Sequence, residues 1–165
     1  MVENCGKFLP LEELLRELQP LRGKKKVVFT NGCFDIIHAG HVHYLKECKR
    51  LGDILVVGIN SDDSIRRLKG EKRPILPLEM RAYVLSNICA VDYVVPFEED
   101  TPYNLIKEIK PDILVKGGDW DIDRIVGRDI VESYGGKVLT IPFEFDISTT
   151  KIVEEIKRRY CGGGD

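Results

Sequence analysis

His38 and His41 stand three residues apart at the end of the run Thr30-Asn31-Gly32-Cys33-Phe34-Asp35-Ile36-Ile37-His38-Ala39-Gly40-His41. The run follows an apolar stretch, Val27-Val28-Phe29. It opens a helical pattern at Val42, Leu45 and Cys48 that closes at Gly52. A spacing of three places both imidazoles on one side of a helix start. Unpaired backbone N–H groups and the positive dipole end gather there, so the position favours an anion. Two imidazoles at such an end are suited to donate to phosphate oxygens. The same pair could hold a metal or serve the fold alone. His43 swings away from His41, and no third converging ligand is evident. Gly32 allows a tight turn with close approach to the backbone.

Three further segments carry chemistry. In Arg66-Arg67-Leu68-Lys69-Gly70-Glu71-Lys72-Arg73, five of eight residues are basic, as suits a loop closing over a triphosphate or an ordinary solvated loop. Arg81, on the helix expected next, is another cation. Val115-Lys116-Gly117-Gly118-Asp119-Trp120 ends an apolar strand pattern, and paired glycines there admit a base or ribose. Asp119, Asp121 and Asp123 do not make a calcium loop, because Arg124 holds the place of the required glycine. Ile147-Ser148-Thr149-Thr150-Lys151 gathers hydroxyls at another helix start, where capping by Ser148 accounts for one of them. No GxxxxGK[ST] and no GxGxxG occurs, which disfavours a P-loop or a dinucleotide fold.

One mechanism unites these segments. Two helix N-termini, two histidines and a basic loop would surround a triphosphate. An acceptor that is already an anion needs no general base, so the site would align in-line attack on the α-phosphate and stabilise charge. Mg²⁺ is expected to bridge the phosphates, with no protein metal site. No covalent enzyme intermediate is needed, although Cys33 lies close.

The elements that must position these residues alternate. Apolar runs over 27–29, 53–59, 91–97, 113–115 and 138–141 read as buried strands. Helical patterns fall over 40–51, 62–69, 77–89, 102–110, 122–134 and 148–160, with a shorter one at 11–18. This predicts an α/β fold, a Rossmann-like five-stranded parallel sheet with helices on both faces and ligands beyond the strand ends. The length of 165 residues fits a single domain, with residues 1–23 as a helical extension and 161–165 as a loose tail.

Composition narrows the class. The chain is 43% hydrophobic and 32% charged with a net charge of −2, so it is globular and shows no basic excess for nucleic acid. Five scattered cysteines without a CxxC argue against a disulfide framework or a cysteine zinc site, and for a reducing cytoplasm. No signal peptide and no membrane span are expected. A single glutamine among many Lys and Glu leans weakly to a thermophilic source, or to chance.

Phe29-Thr-Asn-Gly-Cys-Phe-Asp35, His38-Ala-Gly-His41 and Ile147-Ser-Thr-Thr-Lys-Ile152 resemble the cytidylyltransferase-like nucleotidyltransferase superfamily, over about Lys26 to Arg159. Within it, Asn60-Ser-Asp-Asp63, Arg66-Arg-Leu-Lys-Gly70, Arg73-Pro-Ile-Leu-Pro-Leu-Glu-Met-Arg81, Glu99-Asp-Thr-Pro102 and Val115-Lys-Gly-Gly-Asp119 are similar to the enzymes that make ADP-heptose from heptose 1-phosphate and ATP in lipopolysaccharide core synthesis. Asp119-Trp120 and the complete ISTTKI are also similar to glycerol-3-phosphate cytidylyltransferases, which use CTP.

The resemblance implies that His38 and His41 contact the triphosphate and stabilise the transition state. It implies that Thr30, Asn31, Gly32, Cys33, Phe34, Asp35 and Gly40 hold nucleotide and phosphates. Lys69 or Lys72, with Arg81, would meet phosphates or the sugar phosphate. Gly117, Gly118, Asp119, Ser148, Thr149 and Thr150 would bind the nucleotide side. It further implies ATP as substrate, Mg²⁺ carried on its phosphates, a sugar-phosphate acceptor and a homodimer. Many relatives join this domain to a sugar kinase, for which this length leaves no room, so a stand-alone form is expected. Relatives usually carry Arg or Gly shortly before the Ser-Thr-Thr run. Here Pro142-Phe143-Glu144-Phe145-Asp146 brings two acids and no arginine, which changes what the loop offers a triphosphate. A non-catalytic nucleotide-binding module of the same architecture is the alternative of another class, and it would need no paired histidines.

Overall fold

The computed structural model describes residues 6–162. Its strands are β1 (Lys7–Phe8), β2 (Val27–Gly32), β3 (Ile54–Asn60), β4 (Tyr93–Phe97), β5 (Ile113–Gly117) and β6 (Lys137–Ile141). Its helices are α1 (Leu11–Leu18), α2 (Ala39–Arg50), α3 (Asp62–Lys69), α4 (Leu78–Ser86), α5 (Tyr103–Ile109), α6 (Arg128–Ser133) and α7 (Thr149–Tyr160). All six strands are parallel, in the order β1-β4-β3-β2-β5-β6.

The alternation along β2 explains the layers. Val27 and Phe29 point into one core with Val56, Leu114 and residues of α1, α5 and α6. Val28 points into the other, with Leu55, Val57 and residues of α2 and α4. Strands covered on both faces carry apolar residues without polar interruption, as parallel sheets require.

Two expectations are corrected. The sheet has a sixth strand, β1, beside Tyr93 and Val94, so the segment before residue 23 is not purely helical. A two-residue Lys-Phe strand carries no periodicity that could announce it, and both residues are exposed. The span 122–134 is not one helix. A 3₁₀ turn over Ile122–Arg124 gives way at Gly127, φ +89°, before α6 begins. A Cβ on Gly127 would lie 2.6 Å from the Ile106 side chain, so the chain must bend there with a glycine. The first five residues of the expected extension and residues 163–165 of the expected tail lie outside the described residues.

The sheet also makes its own cleft. β2 pairs with β3 over six residues but with β5 only at Val28 and Phe29. Beyond that point β2 and β5 part. The chain has wound outward from β2 through β3 to β4 and then crosses back to start β5 on the other side. This reversal is where open parallel sheets bind ligands, and it lies between Asn31–Gly32 and Lys116–Gly117.

Candidate active site

The turn that leaves β2 is strained and heavily pinned. Phe34 and Ile36 both have left-handed backbones, with φ of 50° and 52°. That conformation is unfavourable for any side chain and more so for β-branched Ile36. Asp35, between them, is buried. Its carboxylate accepts the N–H groups of Ile75 (2.7 Å) and Leu76 (3.0 Å). The Arg81 guanidinium donates to the Cys33 carbonyl at 2.8 Å, and Thr149 Oγ1 donates to the Asp35 carbonyl at 2.5 Å. A Cβ on Gly32 would lie 2.9 Å from the Phe34 ring, so glycine lets that ring fold back.

The strained turn delivers His38 to the start of α2 in an unusual role. His38 is the N-cap, and its Nδ1 accepts the Gly40 N–H at 3.1 Å. His41 Nδ1 accepts the His38 N–H at 3.2 Å, closing a reciprocal capping box made of imidazoles. The rings stack with centroids 3.8 Å apart. An accepting Nδ1 carries no proton, so in each neutral ring the proton sits on Nε2. Burial, then the neighbouring His38 and Lys69, push the His41 pKa down to about 4. Burial also lowers that of His38. Both rings are therefore neutral Nε2–H donors at neutral pH. Gly40 makes this possible, since a Cβ there would sit 3.0 Å from the His38 ring and 3.2 Å from Ile147.

Both rings line a cavity of about 460 Å³. Its other walls are Asn31 to Phe34, Lys116 and Gly117, the loop from Pro142 to Phe145, and Ser148 to Thr150 at the start of α7. The α7 hydroxyls are engaged within the protein. Ser148 Oγ accepts the Lys151 N–H at 3.1 Å, and Thr150 Oγ1 accepts from Arg73 at 3.3 Å. A second cavity of about 470 Å³ lies on the other side of the β2 end. The two share Asn31, Gly32, Cys33, Lys69, Lys116 and Trp120.

The structure brings together His38, His41, Asn31, Gly32, Cys33, Phe34, Gly40, Lys69, Gly117, Ser148, Thr149 and Thr150 around the first cavity. Other expected residues stand elsewhere. Arg81 is 1% exposed and does not face the cleft. Its guanidinium is taken up by the carbonyls of Leu76, Cys33 and Asn60 and by Asp62 (2.6 Å), so it positions the strained turn rather than meeting a phosphate. Asp35 is likewise occupied in pinning Ile75 and Leu76. Thr30 is buried, its hydroxyl 2.7 Å from that of Tyr44. Lys72 and Asp119 are exposed and line neither cavity. Gly118 is covered by Phe143, whose ring would lie 3.0 Å from a Cβ there and 2.9 Å from one on Gly117.

Several lining residues escaped the sequence reading. His43 reaches the first cavity, with its ring against Phe145 at 5.5 Å. Phe143 lies over the two glycines, and Tyr44 closes the floor beside it. Lys116 was hidden inside a motif read for its glycines. Its ammonium lies 5.1 Å from the Trp120 ring centroid, and burial lowers its pKa. Among the described residues no three His, Cys, Asp or Glu side chains converge as metal ligands, and no helix is long and apolar enough to cross a membrane.

Residues 29–155 match the cytidylyltransferase-like family. The chain is 57% identical over 136 residues to the bifunctional protein HldE of Geobacter sulfurreducens, covering 82% of this chain and 28% of that one. It is 53% identical over 154 residues to the HldE of Helicobacter pylori, covering 93% and 32% respectively. The chain thus spans less than a third of the length of these curated relatives. A lipopolysaccharide core biosynthesis protein of Thermoplasma volcanium superposes with a TM-score of 0.61 at 34% identity, over 74% of this chain and 99% of the other. A pantoate-beta-alanine ligase of Francisella tularensis superposes at 0.62 with 14% identity, covering 97% and 80%, a likeness of fold alone.

Proposed function

The chain belongs to the cytidylyltransferase-like family, and on that premise we propose that it transfers AMP from ATP to heptose 1-phosphate, giving ADP-heptose and pyrophosphate. One observation carries the reading. Two stacked imidazoles accept backbone N–H groups at Nδ1, so each keeps an Nε2–H donor in a cavity at a helix N-terminus. Donors fixed before the substrate arrives act on developing charge without reorganising.

The acceptor phosphate supplies the electron pair for a new O–P bond to the α-phosphorus. The bond from that phosphorus to the bridging oxygen breaks, and its electron pair leaves with pyrophosphate. No proton need move, so a site without a general base is sufficient. The Nε2–H groups of His38 and His41 and the Lys69 ammonium would hold the charge that grows on the leaving group. Lys69 lines both cavities and Lys72 neither, which favours Lys69. Mg²⁺ would enter as part of the substrate, bound to its phosphates.

The heptose and adenine identities rest on the sequence resemblance, and the neighbour described as a lipopolysaccharide core biosynthesis protein supports the biosynthetic setting. A cytoplasmic setting is supported by cysteines that are free at all four described positions. A homodimer is proposed on the resemblance, with the unburied face of α7 as the surface to be covered. Pyrophosphate release is to be measured with ATP or CTP against heptose 1-phosphate or glycerol 3-phosphate. ATP with heptose 1-phosphate should be the preferred pair. Preference for CTP with glycerol 3-phosphate would overturn the substrate assignment, and nucleotide binding without turnover on any pair would leave a binding module.

A further inference from the structure

The two cavities meet along Asn31 to Cys33, Lys69, Lys116 and Trp120. The first contains the imidazoles, which suit the triphosphate. The second contains none, but it is lined by Lys69, Lys116 and Arg124 against one carboxylate, Asp100, which is paired with Arg67 at 2.9 Å. It also presents the polar side chains of Asn60 and Thr101. Its character is cationic with hydrogen-bonding groups, which suits a phosphorylated polyol.

A phosphate acceptor and an α-phosphate are both anions, and they must come into contact. Their repulsion is greatest at the junction of the cavities, so a cation fixed there does more than one on either rim. The junction has two. Lys69 ends α3, is exposed and precedes Gly70 at φ +98°. Lys116 lies on β5 between buried Val115 and Gly117, its backbone paired to Thr140, and its ammonium rests near the face of Trp120. We propose that the second cavity seats the phosphorylated acceptor and that Lys116 bridges the attacking phosphate to the α-phosphate. The role rests on the nucleotidyltransferase reading above. Half-burial lowers the pKa of this ammonium, and with less water around it the charge is screened less from a nearby anion.

Lys116→Met keeps the apolar stem and removes the charge. In the full chain, kcat/KM for the acceptor should fall about 100-fold, with the acceptor KM raised at least about tenfold. The Kd for ATP, measured by calorimetry, should rise by less than the acceptor KM, because His38, His41 and Lys69 still hold the triphosphate. Arg124→Gln, on the far wall of the same cavity, should raise the acceptor KM about tenfold with kcat retained. It provides the test if Lys116→Met fails to fold. An unchanged acceptor KM, or a loss of ATP affinity as large as the loss for the acceptor, would overturn the assignment. A wild-type chain that turns over no phosphate acceptor would remove the nucleotidyltransferase reading and this one with it. Wild-type turnover with indifferent variants would remove only this one.

Discussion

Two helices begin at the same cleft, and their first turns are built differently. At α2 the cap is an imidazole, the reciprocal partner is an imidazole, and both have a second nitrogen left over. At α7 the cap is a serine hydroxyl, and the next two hydroxyls bind the Asp35 carbonyl and Arg73. Thr149 spends its one proton on that carbonyl, while Ser148 and Thr150 accept and keep theirs on hydroxyls that still rotate. An imidazole separates its acceptor from its donor by the width of a ring, so it can cap a helix and still present an N–H to a substrate. The α2 end thus presents two N–H donors fixed in place, whereas the α7 end ties down the strained turn through Thr149 and offers only rotatable hydroxyls at Ser148 and Thr150.

The largest expected effect follows from separating the two nitrogens of His41. Asparagine places an acceptor near Nδ1 and nothing at Nε2. His41→Asn should reduce kcat about 100- to 1,000-fold while the melting temperature changes little. A kcat within threefold of wild type would mean that the distal nitrogen does no chemistry.

Asp35→Asn comes next. It removes one of two accepting oxygens for Ile75 and Leu76 beside two left-handed residues. Chemical denaturation should show a loss of about 2 kcal/mol, with kcat/KM about tenfold lower as the turn relaxes. Unchanged stability would show that the turn is not held there.

At α7 the expected effect falls on stability rather than on rate. Ser148→Ala should cost about 1 kcal/mol as a lost cap, with kcat within about threefold. A large kcat loss without destabilisation would erase the contrast between the two helix ends.

A further expectation is a dependence on pH. The His41 pKa falls from 6.5 unfolded to about 4 folded. Its contribution to stability is therefore complete above about pH 6.5 and is lost as the pH falls through about 4. Unfolding free energies between pH 7.5 and 4.5 should decline less steeply in His41→Asn than in the wild type. Equal slopes would place the proton elsewhere.

Much of this was legible in the sequence. Long apolar runs such as Asp53 to Ile59 announced the buried strands, and His38 and His41 stood out at a helix start. What escaped depends on tertiary geometry. β1 is two residues long and is defined only by Tyr93 and Val94 beside it. Arg81 looked like a phosphate ligand because nothing local reveals that the carbonyls of Cys33 and Asn60, distant in sequence, converge on it together with that of nearby Leu76. Phe143 and Lys116 were hidden for a related reason. One belongs to a loop read for its charges and the other to a motif read for its glycines, and only the pairing of β5 with β6 brings both to one cavity.

The central claim is that two neutral imidazoles, each protonated at Nε2, wait at the start of α2. Nitrogen-15 NMR of the histidine rings in the free protein at pH 7 addresses it directly. The account requires Nε2–H tautomers for His38 and His41, with His41 titrating near pH 4. An Nδ1–H tautomer at either ring, or an imidazolium at His41 at neutral pH, would contradict it.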